Sequence, residues 1–129
     1  MRPDDRKYLK SHEWVKVVEG DICLMGLSDY AVKHLSDLVF LDLPDVGADI
    51  MQNEPYGEIE SVKAVSDLFS PVTGEVLEHN ETLLGDLTIL ASDPWEAGWM
   101  VKVKMQFPDE LENLLDAAGY EEVIKAEEG

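Results

Sequence analysis

The chain has 129 residues, 10 basic against 28 acidic for a formal net charge of −18, and 45% of its residues are hydrophobic. That length fits one domain with one core, residues 1–129, and the apolar share excludes wholesale disorder. The charge excludes phosphate backbones and anionic lipid as natural partners, because both would be repelled, and suits brief docking on proteins with basic rims.

No stretch approaches the ~18 consecutive apolar residues of a membrane span. The opening Met1-Arg2-Pro3-Asp4-Asp5-Arg6 has no apolar segment behind its charges, so a secretory signal is not expected. A single cysteine, Cys23, cannot form an intrachain disulfide, and the expected compartment is the cytoplasm. Glu127-Glu128-Gly129 is the one acidic block placed like a disordered tail.

In chain order, Trp14 to Val18 and Ile22 to Met25 read as strands joined by the hairpin connection Glu19-Gly20-Asp21. Ser28-Asp29 reads as a helix cap, with a short helix over Tyr30 to His34. Leu38 to Leu43 is an apolar run ended by the turn Pro44-Asp45-Val46-Gly47. A second Pro-x-x-Gly turn, Pro71-Val72-Thr73-Gly74, leads into Glu75-Val76-Leu77 and makes a faint internal repeat. Between them, Val62, Val65 and Leu68-Phe69 fit a helix face capped by Ser61, and the same residues fit a hairpin; periodicity leaves both open.

Trp99 to Met105 alternates, with Trp99, Val101, Val103 and Met105 on one side and two lysines on the other, as a strand requires. Leu111, Leu114, Leu115 and Ala118 then form a helical stripe, with Asp109 and Glu110 at its start and Gly119 placed to stop it. Many short strands with short helices predict a mainly β, α+β domain.

Catalytic arrangements are missing from this pattern. The histidines His12, His34 and His79 are scattered, none at metal-ligand spacing with Cys23, and no nucleophile elbow, P-loop or dinucleotide fingerprint occurs. Cys23 reads as a small core hydrophobe, His12 as a packed surface histidine, and Trp14, Trp95 and Trp99 as packing residues. The chain reads as something other than a stand-alone enzyme, with no metal.

The stretch from Gly57 to Val76, above all Glu60-Ser61-Val62-Lys63-Ala64-Val65-Ser66-Asp67, resembles the lipoyl-attachment hairpin of the glycine cleavage system H-protein family. Ser11 to Val15, Gly26 to Ala31, Val39 to Gly47, Asp93 to Trp99 and Asp109 to Leu115 resemble the family in the same order. The segment Leu84 to Ser92 departs from it, with Leu87 and Ala91 where members commonly carry a proline and an asparagine.

The resemblance implies a lipoyl-domain-like barrel-sandwich hybrid with a C-terminal helix, and (R)-lipoate joined to Lys63, as N6-lipoyllysine, at a hairpin tip. Such an arm is about 15 Å long from its zigzag of single bonds. Amide formation removes the ammonium, so the arm can lie in an apolar groove. The implied role is non-enzymatic: a carrier that takes glycine's aminomethyl group from glycine decarboxylase to the aminomethyltransferase, and is reoxidised by dihydrolipoyl dehydrogenase. A lipoate ligase or a lipoyl/octanoyl transferase would load it, and the protein would be monomeric. The positions matching the family's amine-holding carboxylates are Glu13 and Asp67, for which a merely solvated role weighs equally.

Rival readings keep the cofactor and change the pathway: an H-protein-like carrier for heterodisulfide-reductase-like sulfur oxidation, or a lipoyl/octanoyl relay protein. A biotinyl carrier fits less well, because Val62 and Ala64 stand where biotin sites carry methionines. A small hydrolase or an unmodified acidic adaptor requires Lys63 to be incidental.

Overall fold

The computed structural model describes residues 2–128, so Met1 and Gly129 lie outside the described residues. The chain begins with β1 (Lys7–Tyr8), β2 (Glu13–Glu19) and β3 (Ile22–Leu27). The expected hairpin joins the last two, its turn helped by Gly20 in the left-handed region at φ 53°. Trp14 lies opposite Gly26, and a Cβ there would meet the indole at 2.6 Å; the missing side chain is what lets Trp14 lie flat against β3.

Ser28 caps α1 (Asp29–Leu35), its hydroxyl accepting from the Ala31 N–H at 3.3 Å. Next come β4 (Leu38–Asp42), β5 (Asp49–Ile50), β6 (Pro55–Ser61), β7 (Val65–Phe69) and β8 (Gly74–His79). The ambiguous stretch is thus a hairpin, β6 pairing antiparallel with β7. The short helices α2 (Glu81–Gly85) and α3 (Thr88–Ser92) precede β9 (Val101–Met105) and α4 (Ala117–Glu128).

The strands form two sheets, one of six strands ordered β1-β2-β3-β9-β8-β5 and one of three ordered β4-β6-β7. The main core lies between them, with Met25, Ile59, Leu68, Val76 and Val103 all buried. A second cluster, Tyr8, Trp14, Ala117, Tyr120 and Ile124, fastens α4 over β1 and β2. This is the mainly β, barrel-sandwich arrangement expected, with its C-terminal helix. Cys23 is fully buried, and burial pushes its thiol up to about 12, so it packs and does not react.

Three expectations need correcting. The helix predicted over Leu111 to Ala118 is a 3-10 turn, Pro108–Asn113, followed by extended backbone at Leu114. Leu115 exchanges backbone hydrogen bonds with Tyr8, at 2.8 and 2.9 Å, which a helical residue could not do. The true helix begins where the predicted one should stop: the Asp116 carboxylate accepts from the Gly119 N–H at 2.8 Å, and Ala117, Tyr120 and Ile124 supply the buried stripe. Glu127 and Glu128 belong to that helix, not to a tail, while Gly129 lies outside the described residues.

In the strand predicted from Trp99, the alternation starts only at Val101. Trp99 donates backward into a turn, to the Glu96 carbonyl at 3.4 Å, and packs on the second cluster, while Met100 enters the main core. The apolar run at Leu38 forms β4, in which Leu41 is buried while Val39 and Phe40 are exposed.

Candidate functional site

The β6–β7 hairpin ends in Val62-Lys63-Ala64. The Ser61 N–H donates to the Ala64 carbonyl at 2.8 Å, and the Ala64 N–H donates to the Ser61 hydroxyl at 3.1 Å. Ser61 therefore caps a tight turn, the bond that a helical reading would also have wanted from it. The Val62 N–H donates to the Asp37 carbonyl at 2.9 Å and ties the tip to the α1–β4 connection. Lys63 is exposed and makes no ion pair among the described residues.

Beside this hairpin runs a groove of about 420 Å3 bounded by β2, α1, β6, β7 and the end of α4. Leu27, Ala31, Leu35 and Ile59 give it apolar walls. Ser11, Glu13, Tyr30, Asp67 and Glu127 give it polar ones. The two carboxylates matched by resemblance, Glu13 and Asp67, therefore share one groove. Asp67 lies four positions from Lys63, about 13 Å at the rise of a strand, which a ~15 Å arm can cover.

The two carboxylates differ. Asp67 is exposed on β7, directly opposite Glu58, which itself faces Asp42 across β4; three acidic residues thus form one row across the small sheet. Glu13 is only 1% exposed, which removes the solvated reading for it. Burial pushes its carboxyl up to about 7, against the lowering effect of hydrogen bonds from the Ser11 hydroxyl and, at 2.9 Å, the Phe69 N–H. A buried carboxylate with two donors and an open groove in front of it is suited to pairing with a cation that arrives inside an apolar arm.

Residues not expected from the sequence complete the walls. His12, in the left-handed region at φ 87°, bonds through Nδ1 to the Tyr120 hydroxyl at 2.7 Å, and its Nε2 lies 2.9 Å from Glu127. Tyr120 also bonds Ser28 and stacks on Tyr8, so α4 is held as a wall of the groove. These residues come from distant parts of the chain and carry no shared local signal. Trp14 is buried as expected, its indole N–H donating to the Leu27 and Pro94 carbonyls, with the Arg6 guanidinium 4.6 Å over its ring. Among the described residues no group of histidine, cysteine and acidic side chains could hold a metal ion.

The glycine cleavage H-protein family model matches residues 6–127. Relatives named glycine cleavage system H protein include one from Crocosphaera subtropica, 44% identical over 128 residues, covering 98% of this chain and 96% of its own. Another, from Symbiobacterium thermophilum, is 46% identical over 123 residues, covering 95% of each. The crystal structure of a glycine cleavage system H protein from Mycobacterium marinum is similar with a TM-score of 0.88 at 36% identity, covering 96% of this chain and 99% of that one.

Proposed function

Because the chain belongs to the glycine cleavage H-protein family, we propose that Lys63 carries its lipoyl group, as N6-lipoyllysine. Membership makes the protein the lipoyl carrier of glycine cleavage, not an enzyme, and makes the other components of that system its partners. The relatives are named for this pathway, which favours it over sulfur oxidation or lipoyl relay.

One observation carries the assignment to Lys63: it stands alone at the exposed centre of a three-residue turn whose backbone is fixed by Ser61 and Asp37. A ligase or a lipoyl/octanoyl transferase can read such a lysine, whereas a lysine on a flat strand such as Lys102 or Lys104 looks like its neighbours. The residues present fit the group, since the arm is neutral once amide-linked and the nearby groove is apolar along its walls.

When bound, the lipoyl group supplies the disulfide–dithiol couple that takes up and releases the aminomethyl cargo. The chain does the rest. Leu27, Leu35 and Ile59 keep water from the arm, and Glu13, ionised, holds the cargo's ammonium in the groove. Asp67 adds a second, solvent-facing carboxylate at the rim.

Decarboxylase, aminomethyltransferase and dihydrolipoyl dehydrogenase would meet the same tip in turn. We further infer a monomer acting as one carrier domain, residues 1–129, in the cytoplasm. The Tyr8–Leu115 bridge, which ties the first strand to the segment just before α4, supports the single unit. Intact mass and peptide mapping of protein from its native host test the assignment. A lipoyl increment on the Lys63 peptide is expected; a lipoyl, octanoyl or biotinyl increment elsewhere overturns it.

A further inference from the structure

Helix α1 ends at Leu35 and β4 begins at Leu38, so Ser36 and Asp37 alone turn the chain from helix to strand. Ser36 does this at φ 64° and ψ −133°, a conformation that glycine takes freely and that a Cβ makes costly. Two other described non-glycine residues have positive φ, His12 and Asn53. The ring of His12 is held at both nitrogens, and asparagine tolerates positive φ by type. Ser36 is exposed, and no side-chain hydrogen bond holds it among the described residues. Backbone holds it instead. Its N–H donates to the Val32 carbonyl at 3.1 Å, closing α1, and the next carbonyl, that of Asp37, accepts from the Val62 N–H at 2.9 Å.

That second bond reaches the attachment turn. The bonds between Ser61 and Ala64 close the turn on itself, and among the described residues only the Val62 N–H joins the tip's backbone to another part of the chain. Packing adds little, since Val62 is 75% exposed and Lys63 and Ala64 are exposed too. The β4–β6 ladder cannot fix the tip alone, because its register shifts between Leu38 and Phe40, beside the tip. A turn closed only on itself can rock about the ends of its strands. The bond to Asp37 removes that freedom and sets the direction in which Lys63 leaves the surface.

We propose that Ser36 is a positioning residue for loading: its strained backbone aims the Asp37 carbonyl at the Val62 N–H and so holds the Lys63 turn in the pose that the amide-forming enzyme accepts. This rests on Lys63 as the attachment site. With lipoyl adenylate, made from lipoate and ATP, the Lys63 nitrogen bonds to the acyl carbon as the bond to AMP breaks, and the ammonium gives up two protons. Such an attack needs the nitrogen aligned, and a rocking turn offers that alignment for only part of the time.

The test loads the full, unmodified chain with a purified lipoate ligase, lipoate and ATP, and follows the Lys63 peptide by mass. One variant replaces Val62 by its α-hydroxy acid through semisynthesis, which keeps every side chain and removes only the N–H that Asp37 accepts. The KM for this chain should rise about fivefold, roughly the worth of one net hydrogen bond, with kcat unchanged, because a turn in pose for part of the time binds as if diluted. Ser36→Val, in which a β-branched side chain disfavours positive φ further, should raise KM similarly. Ser36→Gly should keep the parent KM and unfold a few degrees higher. Because Ser36 acts through the one bond, Ser36→Val should add nothing to KM in the Val62 ester. A turn that merely joins α1 to β4 would lower the unfolding temperature in Ser36→Val and leave KM alone. That result, an unchanged KM in the ester, or effects that multiply in the double variant would overturn the proposal with the attachment intact. A parent chain that takes no lipoyl on Lys63 would overturn both.

Discussion

At the hairpin tip Val62 and Val65 stand 75% and 58% exposed on either side of Lys63, whereas Glu13, in the wall of the groove beside the hairpin, is 1% exposed. The tip is fixed by its backbone, through Ser61, Ala64 and Asp37, and its side chains are left free. Glu13 is fixed by its side chain, between Ser11 and the Phe69 N–H, inside the wall that β2 makes with β7. A site for delivery can be altered without touching stability; a site for protection cannot, because the group that protects is also part of the packing.

Lys63→Arg should show the first half of that contrast most sharply. The charge stays and no packed contact is lost, so thermal unfolding should shift by no more than the roughly 0.5 kcal/mol typical of surface changes. Lipoylation, read by intact mass, should vanish altogether, since a guanidinium offers no amine for the amide. A lipoyl peptide from another lysine would show that the turn is not what the loading enzyme reads.

Glu13→Gln should show the second half. The carboxamide can still accept from the Phe69 N–H, so the wall stands, but the ion pair with the cargo is gone. A charged hydrogen bond contributes roughly 1.5–3 kcal/mol in a shielded site, so loss of the aminomethyl cargo to water should speed roughly tenfold to a hundredfold. An unchanged cargo lifetime would remove Glu13 from the function.

The same variant has a pH signature. Burial holds the Glu13 proton more tightly in the native state than in the unfolded chain, raising its pKa from 4.5 to about 7. Its contribution to stability is therefore whole below about pH 4.5 and is lost as pH climbs through about 7. The loss is on the order of 3 kcal/mol. Glu13→Gln has no proton to lose, so urea unfolding should find its stability rising relative to wild type between those pH values and level above them. A flat difference across the range would mean that Glu13 is better solvated than its packing implies. A carboxylate kept where neutrality would be more stable is what a cation-holding site demands.

How much of this could be read from the sequence depended on whether the signal was local. Hairpin β2–β3 and the Ser28 cap were legible because turn and cap chemistry acts within a few residues. The Lys63 turn was undecided by periodicity and legible only through its resemblance to a family. The stripe Leu111, Leu114, Leu115 misled: Leu111 and Leu114 pack on the main core, Leu115 on the second cluster, and Leu115's backbone belongs to Tyr8. Helical spacing there arises from two cores meeting at a corner, a tertiary cause that no window contains. The groove was hidden for the same reason, since Tyr30, Ile59 and Glu127 meet only after the sheets and α4 have packed.

Asp67→Asn makes the finest test, because it asks whether the rim of the groove behaves like the tip or like Glu13. Asp67 is exposed, and pairs in solvent contribute only about 0.2–1 kcal/mol, so cargo loss should speed by no more than about fivefold. Added salt should shrink even that difference, which it would not do for a shielded pair at Glu13. Stability should move the other way. Asp67 stands directly opposite Glu58, which faces Asp42, and removing one of three like charges in a cross-strand row should stabilise by a few tenths of a kcal/mol, at most about 1. A thermal shift upward with a slightly shorter cargo lifetime is therefore expected. Cargo loss as fast as in Glu13→Gln would instead mean that the arm brings its ammonium to the rim, and that the buried carboxylate serves the wall alone.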